Sequence, residues 1–228
     1  MTYLALAFAW LNDPLNWSGP DGVVALTVEH LTMSFLAVVL AAAVALPIGI
    51  GLGHSGRAAR VGTATLMTTN VSRALPTFAL LTIFASTGIG FGDRPTVLAA
   101  AVFALPVVLA TAYSGIRGVD VDVRDAARGM GMSGRRILLQ VEVPLAGPMI
   151  AAGLRTAAVQ VVATIPLAAL VGGGGLGRIV VEGFGTQQYG QVIAGGALVA
   201  ALCLVVEGVL AVGQRVLTPR AVRSLQSA

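Results

Sequence analysis

Apolar residues run through this chain in long blocks separated by short polar stretches. About 20 consecutive apolar residues are what a helix needs to cross a bilayer. Five blocks qualify: residues 23–52, with His30 near the start; 61–89, with a polar dip from Asn70 to Arg73; 96–116, almost free of polar side chains; 145–171; and 189–212. The pattern predicts an all-α integral membrane protein, a bundle of about five transmembrane helices filling residues 23–212. Residues 1–22 read differently. Trp10, Asn12, Asp13, Pro14, Trp17, Pro20 and Asp21 interrupt any long span, and two neighbouring tryptophans fit a segment lying at the membrane interface. A loose N-terminal tail is the other reading. Residues 213–228 form a polar C-terminal tail.

Composition supports this reading. Hydrophobic residues make up 56% of the 228 and charged residues only 11%, where a soluble domain carries about 25% charged residues. Mean hydropathy is +0.88. The net charge of +4 is not a nucleic-acid footprint, which needs a basic patch on a soluble face. All 14 basic residues are arginines, and most sit between the apolar blocks. One set of connections holds Arg57, Arg60, Arg117, Arg124, Arg128, Arg135, Arg136, Arg215, Arg220 and Arg223; the other holds Arg94 and Arg178. By the positive-inside rule the first set is cytoplasmic, which puts the N-terminus outside and the C-terminus in the cytoplasm. The absence of lysine excludes a Walker A phosphate loop and a lysine Schiff base. The single cysteine, Cys203, cannot form an internal disulfide. The first ten residues lack a basic n-region and a small-residue cleavage site, so they do not read as a cleaved signal peptide.

The longest cytoplasmic connection, residues 117–143, has helical composition. Asp120 or Asp122 can cap a short helix through Ala126 and Ala127. Gly131 can end it, and Ser133 can cap a second helix carrying Arg135 and Arg136. Pro144 suits the first turn of the fourth span. The loop reads Asp125-Ala126-Ala127, three residues, Gly131, nine residues, then Val141-Glu142-Val143-Pro144. It resembles the EAA loop of ABC importer permeases, E-A-A-x3-G-x9-I-x-L-P, with matching spacing and conservative exchanges at Asp125 and the two valines. An ordinary amphipathic loop is the alternative. The resemblance implies a type I ABC importer permease fold in a bacterial inner membrane, with the loop forming a cytoplasmic coupling helix that docks on a separate ATPase. Small Ala126 and Ala127 would keep one helix face slim. Asp125 would suit the helix N-terminus and pair across the interface. Arg128, Arg135 and Arg136 would meet acidic partner residues or lipid headgroups.

Arg128–Ser133, Val141–Leu145, Ala152–Thr156 and Trp10–Trp17 also resemble the osmoprotectant branch, which imports glycine betaine, carnitine, choline or proline betaine. Methionine and sulfonate permeases share the same core and remain the alternative. The resemblance implies two permease chains (identical or paralogous), two ATPase subunits that carry the ATP and magnesium, an external solute-binding protein, surrounding lipid, and no catalysis or cofactor in this chain.

Charge inside a span costs about 2.5–3.5 kcal/mol on insertion scales, so each case needs an account. Asn70, Ser72 and Arg73 lie beside Pro76, which kinks a helix; they either line a pathway or let Arg73 snorkel to headgroups. Arg155 and Gln160 lie in the fourth span and Glu207 in the fifth, where Glu207 is a possible partner of Arg155. Gly172, Gly173, Gly174, Gly175 and Gly177 formally satisfy a dinucleotide fingerprint. They follow a membrane span rather than a strand, so they read as a tight external chain reversal. Glu182, Gln187 and Gln188 nearby can meet a binding protein or solvent. Paired glycines, Gly49, Gly51 and Gly53 and then Gly195 and Gly196, permit close helix approach. His30, His54 and Cys203 have no metal-ligand spacing, and the histidines read as interfacial. Aromatic residues are 5% of the chain and do not cluster in the spans, which leaves tight selection to a binding protein. The rivals are an ATP-independent secondary transporter or channel, for which no internal repeat appears, and a membrane enzyme, for which no catalytic cluster appears.

Overall fold

The computed structural model describes residues 2–55, 77–87 and 89–217. The described residues are mostly helical, with no strand among them. In chain order they form α1 (Tyr3–Leu11), a 3-10 turn (Pro14–Trp17), α2 (Val23–His54), α3 (Thr77–Ser86), α4 (Asp93–Arg117), α5 (Val121–Gly129) and α6 (Gly134–Ile137). A π-helical turn (Leu138–Glu142), α7 (Val143–Thr164), a 3-10 stretch (Ile165–Val171), α8 (Gly177–Gly185) and α9 (Tyr189–Leu217) follow. Among the described residues four stretches are long and apolar enough to cross a membrane: Val23–His54, Asp93–Arg117, Gly134–Val171 and Tyr189–Arg215. The short apolar α3 falls in the second expected span, and the rest of that span lies largely outside the described residues. Asn70, Ser72, Arg73 and Pro76 lie there too, as do Arg57, Arg60, Arg220 and Arg223.

One boundary differs from expectation. A short helix carrying Arg135 and Arg136 was expected to stand apart from the fourth span, yet helix runs from Gly134 without a break into that span. Pro144 supplies no N–H to the carbonyl four residues earlier, and the chain answers by widening to a π turn over Leu138–Glu142 instead of ending the helix.

Two compact units divide the described residues. The first takes the residues up to Val39, from Thr77 to Ala104 and from Ala158 to Glu207. In it Val23 and Leu26 pack on Leu176 and Ile179, with Trp10, Leu198 and Leu202 against them. Leu81, Ala85, Ala99 and Val171 form a second cluster. The N-terminal segment is a folded helix and turn, not a loose tail. Asp13 caps the turn by accepting from the Leu15 N–H at 3.0 Å, and Trp17 Nε1 donates to the Leu11 carbonyl at 2.8 Å.

The second unit takes residues from Leu40 to Ser55, Leu105–Ala157 and the residues from Gly208 onward. Ile116, Val119 and Ala146 are its buried apolar cluster, with Ile50, Leu138, Val143 and Ile150 packed on them. Gly49 and Gly53 stand one helical turn apart on α2. A side chain at Gly49 would meet Ala112 Cβ at 2.8 Å, and one at Gly53 would meet Ile116 Cβ at 2.7 Å, both on α4. That is the small-xxx-small approach that lets helices pack without a hydrophobic drive between them. Gly51, between them, faces open space.

Hydroxyls within the long helices are satisfied locally: Thr27 donates to Val23, Ser34 to His30 and Thr111 to Val107, each carbonyl four residues back. Toward the end of α9, Leu204, Val205, Val209 and Val212 are each at least 60% exposed. A row of this kind is a liability in water and is what lipid or another apolar surface covers.

Candidate functional site

The loop after α4 is built from local signals that meet one long-range contact. Asp120 accepts from the Asp122 N–H at 2.8 Å and caps α5. At the other end, Gly131 takes φ +78°. Its N–H donates to the Arg128 carbonyl at 2.9 Å, and the Met132 N–H to the Ala127 carbonyl at 3.2 Å. This pair of bonds is a Schellman closure, for which glycine at the left-handed position is the favoured residue. Ser133 precedes α6 in extended conformation without a side-chain capping bond, so only the backbone part of its expected capping role is present.

α5 has two faces of different character. Arg124 and Ala127, one turn apart, are buried at 8% and 2% exposure; Asp125, Ala126, Arg128 and Met130 are exposed. The expectation that Ala126 and Ala127 keep one outward face slim is therefore corrected. Successive residues lie about 100° apart on a helix, so Ala127 seats α5 on its own chain and Ala126 faces outward. Asp125 and Arg128 pair with each other: Arg128 Nη1 donates to Asp125 Oδ1 at 2.6 Å, with both side chains more than half exposed. Such a surface pair is worth little energy and leaves both charges accessible. Arg135, Arg136 and Gln140 border a cavity of about 410 Å³ beside Gly131.

The contact that seats α5 was not legible as a site. Glu142, in the π turn, is 2% exposed. His54 Nδ1, at the C-terminus of α2, is 2.6 Å from Glu142 Oε2; a carboxylate only accepts, so the proton lies on Nδ1. Arg124 Nε sits 3.1 Å from Glu142 Oε1, at ion-pair distance but without hydrogen-bond alignment, and Arg124 Nη2 donates to the Ile116 carbonyl at the end of α4. One buried carboxylate thus ties α5, α2 and the entry to α7. His54 is a partner in this network rather than an isolated interfacial residue. Proline at 144 closes the same turn.

Of the intramembrane polar residues, Arg155 donates from Nη1 to Gln214 Oε1 at 3.1 Å, and Gln214 Nε2 donates to the Pro148 carbonyl at 3.2 Å. Gln160 and Glu207 are half-buried. His30 is fully buried, which corrects its interfacial reading: its Nε2 meets the Val162 carbonyl at 2.9 Å. Nothing in local sequence distinguishes a histidine that reaches a carbonyl on a distant helix from one at the interface.

The glycine stretch forms a tight reversal. Gly172 and Gly175 take φ +73° and +80°. The Gly174 N–H donates to Asp93 Oδ1 at 2.9 Å and the Gly175 N–H to Glu29 Oε2 at 3.0 Å. A side chain at Gly174 would run into the Glu29 carboxylate. Two carboxylates from α2 and α4 thus clasp consecutive amides; neither stood out in the sequence. They border a cavity of about 540 Å³ with Arg94, Met33 and Val97. Beyond the turn, Arg178 pairs with Asp21 at 2.8 Å. Among the described residues no group of three or more metal-ligating side chains comes together.

Long apolar helices, a short helix held on a buried ionic seat and a clasped glycine reversal are the features of a multi-pass membrane protein. Residues 45–222 match the family described as "Binding-protein-dependent transport system inner membrane component", and the chain belongs to that family. It is 36% identical over 201 residues to the choline transport system permease protein OpuBB of Bacillus subtilis, covering 88% of this chain and 90% of that one. Similarity to the glycine betaine/carnitine/choline permease OpuCB of the same organism is 34% over 200 residues, again 88% and 90% of the two chains. With the osmoprotectant import permease OsmW of Salmonella typhimurium, identity is 35%, covering 87% and 93%. Among solved structures, a chain of the inward-facing MetNI methionine ABC transporter superposes with a TM-score of 0.73 at 20% identity, over 84% of this chain and 94% of that one. The fold is that of a type I ABC importer permease, and the chain is an ABC importer permease.

Proposed function

We propose that this permease imports a quaternary-amine osmoprotectant of the glycine betaine, carnitine or choline kind, driven by a separate ATPase. The observation that carries the solute class is the sequence similarity over nearly the whole chain to permeases named for those solutes. The amino-acid reading is the second one. It rests on fold neighbours that are methionine and amino-acid transporters, at identities that speak only to fold.

The mechanism assigns α5 as the handle of the motor. Its exposed face, with Ala126 between Val123 and Met130, enters a groove of the ATPase, and Asp125 and Arg128 exchange their mutual pair for partner charges. Closure of the ATPases on ATP pulls α5. Because Arg124 and Glu142 are joined in a buried pair, the pull is passed to the start of α7 and, through His54, to the end of α2. The arginine distribution puts this loop and the C-terminus in the cytoplasm and the glycine reversal outside. A second permease chain completes the pathway and covers exposed apolar faces. ATP and its magnesium stay on the ATPase.

Reconstitution with the cognate ATPase and binding protein tests this. ATP-dependent uptake of labelled glycine betaine, choline or carnitine, with no uptake of methionine, is the expected result. Methionine uptake would favour the second reading, and uptake by the chain alone without ATP would favour a secondary transporter.

A further inference from the structure

The first unit contains a cavity of about 880 Å³ between the N-terminal segment and the α8–α9 corner. Its lining includes Tyr3, Trp10 and Tyr189 together with Asp13, Asp21 and Glu182. The chain has only three tyrosines and two tryptophans, so most of these rings meet at one place. The Tyr3 and Tyr189 ring centroids are 5.5 Å apart at an interplanar angle of 71°, which makes them two walls of a corner rather than a stacked slab.

The sequence arranges this at a specific point. Gly190 has no side chain, and a Cβ there would meet Leu6 Cβ at 2.6 Å and the Ala7 nitrogen at 3.1 Å. Glycine therefore lets α1 lie against the start of α9, which brings Tyr3 onto Tyr189.

The carboxylates are each held by one bond. Asp13 accepts from the Leu15 N–H, Asp21 pairs with Arg178, and Glu182 accepts from Gln191 Nε2 at 3.3 Å. Held apart in this way, they form no ligand set for a metal ion. Arg178 balances the charge of Asp21, which leaves Asp13 and Glu182 to supply negative charge beside the aromatic walls. A methyl-sheathed cation cannot donate strong hydrogen bonds, and it is stabilised by ring faces and distributed negative charge.

We infer that this cavity is a low-affinity binding site for a quaternary ammonium group, a staging site on the permease itself. The choice of ligand class rests in part on the solute reading proposed above.

The test uses the full-length chain in lipid nanodiscs and tetramethylammonium as the probe, read by saturation-transfer-difference NMR against empty nanodiscs. Saturable transfer is expected, with no competition by 2,2-dimethylpropanol, a neutral alcohol with a similar branched methyl head. Tyr3→Leu and Glu182→Gln each weaken the apparent affinity about tenfold, an effect of the size expected for a cation–π or charge contact, while Tyr3→Phe, which keeps the ring, binds like the parent. Gly190→Val, which separates α1 from α9 without touching a lining ring, also weakens it. Absence of saturable transfer, or parental affinity in both Tyr3→Leu and Glu182→Gln, overturns the site. Parallel uptake assays on the reconstituted complex separate the two claims. Tetramethylammonium binding without quaternary-amine uptake upholds the cavity and sinks the solute reading; uptake without binding does the reverse.

Discussion

Arg124 Nε and Glu142 Oε1 lie 3.1 Å apart in a site where the arginine is 8% and the glutamate 2% exposed. The two residues sit at opposite ends of the loop that carries the family signature, so the pair closes that loop on itself. A buried pair of this kind is costly to break from one side, because the remaining charge is left without compensation.

Glu142→Gln is therefore expected to destabilise the permease by about 3–5 kcal/mol. The double change Arg124→Met with Glu142→Leu removes both charges and is expected to recover much of that loss. Thermal unfolding of the two variants in detergent gives the comparison. The double variant, though folded, is expected to lose solute-stimulated ATP hydrolysis in the complex, since the ionic link between α5 and the π turn is gone.

The two alanines of the signature separate by consequence. Ala127→Leu overpacks a buried position and is expected to cost about 1–3 kcal/mol, visible as a lowered melting temperature. Ala126→Leu, on the exposed face, leaves the melting temperature unchanged and abolishes co-purification of the ATPase.

At Gly131 the backbone, not the space, is restrictive: φ is +78° and nothing lies within 4 Å of an added Cβ. Gly131→Ala is expected to destabilise the loop by about 1–2 kcal/mol. Gly131→Asn should cost less, because asparagine tolerates the left-handed region. Hydrogen exchange at the Met132 amide, which closes the Schellman bond, reads the difference.

How far these features were legible follows from their range. The α5 cap at Asp120, the stop at Gly131 and the reversal at Gly172 and Gly175 are set by neighbours a few residues away, and the residue types announce them. The long spans are announced by hydropathy. Glu142 and His54 are 88 positions apart, Glu29 and Gly175 are 146 apart, and no local pattern marks either pair. Ala126 and Ala127 are a different case: the sequence shows two small residues, but which one faces inward depends on where Arg124 finds its carboxylate. His30 was misread for the same reason, because its partner is the Val162 carbonyl, 132 positions away.

The glycine reversal yields a prediction of its own. Gly174→Ala drives a methyl into the Glu29 carboxylate, the movable end of its side chain, so its expected effect is displacement of Glu29 from the Gly175 N–H and a modestly lower yield of folded protein, seen in the elution profile. Combining Gly174→Ala with Glu29→Ala relieves the clash and is expected to restore part of the yield. No restoration would mean that Glu29 is not what confines the turn.

The central claim, that α5 is gripped by a separate ATPase from the cytoplasmic side, is tested most directly by site-specific crosslinking in the assembled complex. With Cys203 replaced by serine, Ala126→Cys is expected to crosslink to the ATPase subunit, while Phe91→Cys, beside the glycine reversal, is not. Crosslinking of the ATPase from position 91 and not from position 126, or from neither, would contradict the account.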